Sequence, residues 1–341
     1  MSYKKHILRS ILTFVLALAL TCALAACGKV ESEATEAAET ADKSETTNAA
    51  PLNVGALKGP TGIGMCYAFE DTEHFNIQLF DSPDQVTAKL ISGELDAAAV
   101  PSNLGAVLYN KTSGAVKCIG INTGSTLYIV GKDVAEPSFT LADLSGKTIY
   151  ASGQGGVPEY VLKALLEKEG INDAEITWLA SHQDVVSTVL AAGGEAIALL
   201  PEPNVSLIES KGAEAGAQIS TLINIGAIWE ETYNTLPMGI LLARTEVIES
   251  RGEALDALIA ACSDSTAKVL SDIDAAATKV VELGIIPSEG LAKKAIPSCN
   301  IMFESDGETM KGILEPFYEV LYNYEASAVG GKLPAEDYYG R

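Results

Sequence analysis

The pattern of apolar and polar positions repeats about one hundred residues along this chain. Residues 75–103 align with residues 174–204, and each stretch reads as an apolar run, an amphipathic segment, a second apolar run and a polar loop. This order predicts strand, helix, strand and loop. The second apolar runs, at 97–100 and 196–200, do not alternate with polar residues, which is typical of strands covered on both faces. The repeat therefore predicts two α/β lobes that are built alike.

Local signals mark the ends of the repeated helices. Ser82 is followed by Pro83 and Gln85, the order of an N-cap, an N1 proline and a capping-box partner. Gly93 is expected to end this helix, and Ser181 is expected to cap its counterpart in the second repeat. Both helices are therefore predicted to follow a strand directly.

Two further strands and a helical C-terminal region complete the predicted organisation. The strands are expected at 127–131 and 237–243, and helices dominate the sequence that follows. These helices need a sheet to cover, which is expected to be that of the first lobe. We therefore expect domain I at 52–132 and 237–341, domain II at 133–236, and a hinge formed by the two strands.

The N-terminal residues are predicted to lie outside this fold. Residues 1–26 contain three basic residues and then an apolar run too short to span a bilayer, which is typical of a secretory signal peptide. Residues 24–28 read Leu-Ala-Ala-Cys-Gly, so cleavage before Cys27 and lipidation of its thiol are expected. An ordinary cleavage site with an incidental cysteine is the alternative. Residues 27–51 are then the lipidated cysteine and a disordered acidic linker.

Composition limits the possible partners. The chain has 45 acidic and 23 basic residues and a net charge of −22. Such a surface repels phosphates and anionic lipid headgroups, so nucleic acid is not an expected partner. Membrane contact is expected through the lipid anchor only.

No motif in the sequence indicates catalysis or a bound metal. The cysteines that follow Cys27 are too far apart for a zinc site, and whether they form a disulfide is left open: Cys66, Cys118, Cys262 and Cys299. GxSxG, HExxH and Walker-type motifs are absent from the sequence. We therefore expect a protein that is not an enzyme and has no cofactor.

Several segments resemble one family of transport proteins. These are LNVGALKGPTGIG, GELDAAAVPSN, LSGKTIYASGQGGVPEYVL, ALLPEPN and AIPSCNI, preceded by the lipidation signal and the acidic linker. Together they resemble the solute-binding lipoproteins of ABC importers, in the nitrate/sulfonate/taurine and thiamine-pyrimidine-precursor group. The resemblance covers nearly all of residues 52–341.

The resemblance implies both a fold and a role. The fold is the α/β, two-lobed type II periplasmic-binding-protein fold, in which each lobe is a mainly parallel sheet flanked by helices and two hinge strands join the lobes. The role is that of a monomeric receptor at the extracytoplasmic face of the membrane. Such a receptor captures a small organic nutrient and delivers it to an ABC permease and its ATPase.

The ligand cleft is expected where the carboxyl ends of the strands in both lobes meet, because helix N-termini direct N–H groups there. Residues 122–126 are expected to form part of its floor. The candidate ligand-binding residues before the first hinge strand are Gly59, Pro60, Thr61, Gly62, Pro101, Ser102, Asn103 and Thr123. Those of the second lobe and the segment after it are Gln154, Gly155, Gly156, Glu159, Tyr160, His182, Glu202, Asn204 and Trp229.

Each of these residues also has a structural interpretation. The glycines can serve only a tight turn, and His182 and Glu159 lie in first helical turns, where either residue can be purely structural. Glu202 lies between two prolines, which is a rigid position for a side chain directed into a cleft. Tyr160 and Trp229 are expected in or near loops, where a ring can stack on a planar ligand; for Trp229 the alternative is packing in a surface loop.

Charge in the predicted cleft favours one ligand class. Glu159 and Glu202 are both acidic and Lys58 is the only cation in these loops, so a bound anion would be repelled. A planar nitrogen heterocycle, such as a thiamine-precursor pyrimidine, avoids this repulsion. A sulfonate, taurine or nitrate held by helix N-termini is the alternative. An enzyme on the same fold, such as a menaquinone-pathway lyase, and a ligand-sensing lipoprotein are alternatives of other classes.

Overall fold

The computed structural model describes residues 50–134 and 138–340, and strands and helices alternate over much of this part of the chain. The strands are β1 (Leu52–Leu57), β2 (Phe75–Phe80), β3 (Ala97–Pro101), β4 (Val116–Thr123), β5 (Leu127–Lys132), β6 (Thr148–Ser152), β7 (Glu175–Leu179), β8 (Ala196–Pro201), β9 (Ile219–Asn224), β10 (Gly239–Arg244) and β11 (Ile301–Glu304). The predicted signal peptide, the lipidation of Cys27 and nearly all of the predicted linker lie outside the described residues.

The described residues also form twelve α-helices. They are α1 (Pro60–Gly64), α2 (Pro83–Ser92), α3 (Ser102–Lys111), α4 (Val157–Lys168), α5 (His182–Ala191), α6 (Asn204–Ala215), α7 (Ile225–Thr232), α8 (Thr245–Ser250), α9 (Gly252–Ser271), α10 (Ile273–Glu282), α11 (Glu289–Ala295) and α12 (Gly307–Tyr324). None of these described helices is long and apolar enough to cross a membrane.

The strands form two sheets that share one topology. The first has the order β11-β4-β10-β3-β1-β2, and the second has the order β7-β6-β8-β5-β9. In the first sheet β1 pairs in parallel with β2 and β3, and in the second β6 pairs in parallel with β7 and β8. The two lobes predicted from the repeat are therefore present.

Most strands of each sheet run in the same direction, but each sheet also contains an antiparallel strand within it. β10 runs antiparallel between β3 and β4, and β5 runs antiparallel between β8 and β9. β11 also pairs antiparallel with β4 at the edge of the first sheet, whereas β10 and β5 are the strands that arrive from the other lobe. Such a strand enters its sheet at the end where the parallel strands finish, so it runs in the opposite direction.

The first boundary between the lobes differs from the expected one. The strand predicted at 127–131, assigned to domain I, is β5, and it forms both of its hydrogen-bond ladders within the second sheet. The chain therefore leaves the first sheet at residues 124–126 instead of after residue 132. It returns to that sheet at β10, after residues 233–238.

Helices cover both faces of each sheet. Alternate residues of β1, β3 and β10 pack against α9 on one face and against α2, α3 and α12 on the other. Alternate residues of β8 likewise pack against α5 and α6 on one face and α4 and α7 on the other. This two-sided burial explains why these strands are apolar without alternation.

The four cysteines of the described chain are buried thiols without disulfide partners. Burial raises the pKa of the Cys66, Cys118 and Cys262 thiols to about 12. They are therefore packing residues in this structure, which the sequence alone could not decide.

A candidate ligand cleft at the crossing between the lobes

The carboxyl ends of the parallel strands in both sheets meet at the segments that cross between the lobes. In the first sheet, Gly239 at the start of β10 pairs with Pro101 and Thr123, the last residues of β3 and β4. In the second sheet, Leu127 at the start of β5 pairs with Pro201, the last residue of β8. This is the region where open α/β sheets bind ligands.

Residues 122–126, the floor segment, link the two lobes through their backbone. The Met238 N–H donates to the carbonyl of Thr123 over 2.9 Å, and the Gly124 N–H donates to the carbonyl of Asn300 over 2.9 Å. The Glu202 N–H of the second lobe donates to the carbonyl of Thr126, also over 2.9 Å. The floor segment is thereby fixed on both sides.

The side chains of the floor segment are polar and almost fully buried. The hydroxyl of Thr123 donates to Oδ1 of Asn122 over 3.2 Å. The amide nitrogen of Asn122 and the hydroxyl of Ser125 are buried without any hydrogen-bond partner. An unpaired buried polar group costs about 1–3 kcal/mol, so two such groups three positions apart indicate a place where a ligand can supply the missing partners.

Glycine at position 239 leaves room for this polar cluster. A Cβ there would lie 2.6 Å from Oδ1 of Asn122, 2.8 Å from Cγ2 of Thr61 and 2.9 Å from Oγ1 of Thr123. Thr61 and Thr123, two of the predicted site residues, therefore lie beside Asn122. Residues 122–126 were expected to form part of the floor, but Asn122 was not among the candidate ligand-binding residues, and its free amide was not foreseen.

The other predicted residues of the first glycine-rich loop form a tight turn. Gly59 has a φ of 118°, a conformation that favours glycine, and Pro60 occupies the first position of α1. The hydroxyl of Thr61 donates to the carbonyl of Leu57 over 3.2 Å. A Cβ at Gly62 would lie 2.6 Å from that same carbonyl oxygen. The structure thus gives these glycines a backbone role at the edge of the cleft.

Ser102 and Asn103, after Pro101, are engaged inside the first lobe. The hydroxyl of Ser102 donates to the carbonyl of Pro237 over 2.7 Å, and its own carbonyl accepts from the hydroxyl of Tyr318 over 2.9 Å. The amide of Asn103 faces the carbonyl of Ala328 at 3.4 Å. In this conformation their polar groups bond to the protein, because α12 and the segment after it pack on the start of α3.

The loop before α4 is closed by its own glutamate. Oε2 of Glu159 accepts from the Gly155 N–H over 2.6 Å, and Oε1 pairs with Nζ of Lys163 over 2.5 Å. This contact raises the pKa of Lys163. Lys163 therefore balances the charge of the Glu159 carboxylate within the same helix. Gln154 and Gly155 are exposed, and Gly156 is half-buried as the N-cap of α4.

Two predicted aromatic residues pack against the C-terminal helix. The ring of Trp229 is fully buried in α7, with centroids 4.5 Å from Tyr233 and 6.0 Å from Phe317 of α12. Tyr160 is buried beside Tyr324, also of α12, at 6.5 Å. Trp229 was expected in a loop with a face free for stacking, and the structure instead places it in the core, because it faces inward from a helix that joins the two lobes.

His182 and Ser152 form a polar pair at the carboxyl end of β6. Nδ1 of His182 lies 2.5 Å from Oγ of Ser152. Burial lowers the pKa of His182, which favours the neutral imidazole. Ser152 is nearly fully buried and was not identified from the sequence, because a serine that ends a strand has no distinctive motif.

Glu202 is the buried acid of the second lobe, with only 4% of its surface exposed. Its two carboxyl oxygens accept from the N–H and the hydroxyl of Ser206, over 3.1 and 3.0 Å. Burial raises the pKa of Glu202 to about 7; Glu209 also raises it, while Ser206 and Lys294 lower it. The neighbouring Asn204 accepts a long hydrogen bond of 3.5 Å from Gln183.

Comparison with known proteins assigns the family. A family model described as NMT1/THI5 like matches residues 76–276. The chain belongs to the NMT1/THI5-like family. No match was found among curated proteins.

Solved structures share the fold of this NMT1/THI5-like protein. An ABC transporter from Parabacteroides distasonis is 22% identical, with a TM-score of 0.72 over 86% of this chain and 99% of that chain. The periplasmic aliphatic sulphonate binding protein SsuA from Escherichia coli is 13% identical, with a TM-score of 0.68 over 86% and 92%. SsuA from Xanthomonas axonopodis pv. citri bound to MOPS is 15% identical, with a TM-score of 0.61 over 84% and 95%. The predicted two-lobed type II periplasmic-binding fold is thus confirmed.

Proposed function

We propose that this protein is the solute receptor of an ABC importer and binds a small organic nutrient between its lobes. The observation that carries the proposal is the polar floor segment, which lies between two equivalent lobes and leaves Asn122 and Ser125 without partners. The receptor is a monomer that presents its ligand-bound form to the permease and its associated ATPase.

The receptor is held at the extracytoplasmic face of the membrane by lipid on Cys27. This follows from the signal sequence and the Leu-Ala-Ala-Cys-Gly motif. Cys27→Ser should move the protein from the membrane fraction to the soluble fraction, with unchanged ligand affinity. A mutant that is cleaved and still partitions with detergent would contradict the anchor.

Ligand binding closes the two lobes around the floor segment. A ligand that contacts both lobes favours the closed form, so compaction is expected in solution scattering. At a hundredfold excess over Kd, the free energy of unfolding should rise by about 2.7 kcal/mol. Tight binding without compaction would contradict this motion.

The favoured ligand is a planar nitrogen heterocycle, such as a thiamine-precursor pyrimidine. Glu159 no longer supports this choice, because Lys163 neutralises it. The support comes from Glu202, whose pKa of about 7 leaves it partly ionised at neutral pH and negatively charged above it, and from the polar floor, whose residues 122–126 contain no cation. A thermal-shift screen should show stabilisation by the pyrimidine and none by taurine.

A sulfonate, taurine or nitrate is the second candidate. Its support is the fold shared with structures named as sulphonate-binding and alkanesulfonate-binding proteins. In that case helix N-termini would hold the anion. Stabilisation by alkylsulfonates, taurine or nitrate alone would favour this candidate and would remove the heterocycle.

A further inference from the structure

We infer that Asn122 and Ser125 form the subsite that recognises a hydrogen-bond acceptor on the ligand. This inference rests on the proposed receptor function. It adds the residues and the chemical group that this subsite selects.

The orientation of the Asn122 amide shows which of its atoms lacks a hydrogen-bond partner. Because the hydroxyl of Thr123 donates to Oδ1 of Asn122, the unpaired end is the Nδ2 group, which carries two N–H donors. Asn122 is only 1% exposed, so water does not replace the missing partner from bulk solvent. The complementary ligand atom must therefore be an acceptor, such as a ring nitrogen or a carbonyl oxygen.

Ser125 supplies a second polar group on the side of the second lobe. Its hydroxyl is 6% exposed at the residue level and has no partner, and it lies beside the backbone of Gly226 at the start of α7. A Cβ on Gly226 would lie 2.3 Å from Oγ of Ser125, so glycine there preserves the space. Asn122 and Ser125 thus face the two segments by which the chain returns to the first lobe.

The surroundings favour a neutral acceptor over an anion. The Gly124 N–H donates to the carbonyl of Asn300 and the Thr126 N–H donates to Sδ of Met238, so these two N–H groups of the floor are not free for an oxyanion. Thr126 is also bonded to Glu202, which brings a buried carboxyl group to the end of the same segment. A neutral acceptor, such as a ring nitrogen or a carbonyl oxygen, avoids the repulsion that this carboxyl group would exert on an anion.

Unpartnered polar atoms elsewhere provide a matched control. Among the described residues, the other buried atoms of this kind are Oγ1 of Thr87 in α2 and Oδ1 of Asn110 in α3. Both lie on helices outside the crossing segments. Thr87→Val therefore removes an unpartnered hydroxyl without touching the proposed subsite.

Calorimetric titration of the mature protein with the hydroxymethylpyrimidine precursor of thiamine, and separately with taurine, tests the inference. Asn122→Ala and Ser125→Ala should each weaken pyrimidine binding about tenfold to a hundredfold, whereas Thr87→Val should leave it unchanged. Pyrimidine affinities of both cleft variants within about twofold of the wild type would overturn the subsite and leave the receptor function standing.

Thermal melting without ligand separates recognition from structure. Because Ser125→Ala removes an unsatisfied buried hydroxyl, it should raise the melting temperature by about 1–3 °C while it weakens binding. A lower melting temperature would show a structural role and overturn the inference. Binding of taurine alone would overturn the heterocyclic acceptor but not the receptor, and binding of neither compound would count against both.

Discussion

The loops that follow β3 and β8 occupy equivalent positions in the two lobes and are stabilised in opposite ways. In the first lobe, Ser102 forms hydrogen bonds with Pro237 and Tyr318, two residues that come much later in the chain. In the second lobe, Glu202 is bonded to Ser206, within the helix that it precedes. The side chain of Ser102 is thus held by tertiary contacts, whereas the titratable side chain of Glu202 is held locally.

Two lobes with the same topology thus carry equivalent loops with different properties. The first loop depends on the C-terminal helix α12, which packs against it and also against Trp229 of the second lobe. In the second loop, burial raises the pKa of the Glu202 carboxyl group to about 7. We expect packing mutations near the first loop to change stability, and we expect the contribution of the second loop to stability to change with pH.

The largest effect should come from Tyr318→Ala. This fully buried ring lies in the core and its hydroxyl bonds to the carbonyl of Ser102, so its loss should lower the free energy of unfolding by about 3–5 kcal/mol. Tyr322→Ala on the same helix is the control, because Tyr322 is 38% exposed and should change stability by about 0.5 kcal/mol or less. Equal effects in urea unfolding would refute the role of α12.

The pH dependence of stability should reveal the titration of Glu202. Its folded pKa of about 7 lies above the ordinary value of 4.5, so its protonated form stabilises the fold below pH 4.5 and this contribution is lost as pH rises through 7. The contribution amounts to at most about 3 kcal/mol.

Glu202→Gln should remove this component while keeping an acceptor for Ser206. Relative to the wild type, the variant should gain stability between pH 5 and pH 8, as measured by chemical unfolding at each pH. The same slope in both proteins would show that Glu202 does not titrate in this range.

A smaller effect is expected from Ser102→Ala. The change removes the donor to Pro237 in a fully buried position and should cost about 1–2 kcal/mol. The cost should be independent of pH between 5 and 8, in contrast to Glu202→Gln. A pH-dependent cost would mean that the two loops are coupled rather than independently stabilised.

Local sequence signals predicted the repeated units, whereas tertiary contacts decided the rest. Ser181 caps α5 as expected, since capping needs only the nearby N–H of Asp184. The sheet to which β5 belongs was wrongly predicted, because its apolar residues suit a buried strand in either lobe. The prediction that Trp229 lies in a loop was wrong for a similar reason, since its partner Phe317 lies far along the chain.

The candidate site was predictable in position but not in its particular atoms. The polar run at 122–126 and the strand ends indicated the cleft, and Thr61 and Thr123 lie beside the amide oxygen of Asn122. That Asn122 lacks a partner while Ser102 has two depends on contacts with β10 and α12, which no local pattern encodes.

The most direct test is a crystal structure with the compound that stabilises the protein most. We expect a ligand in contact with both lobes, with an acceptor atom within hydrogen-bond distance, about 3 Å, of Nδ2 of Asn122. A ligand bound to one lobe only, or in the outer groove lined by Tyr233 and Tyr324, would contradict this expectation.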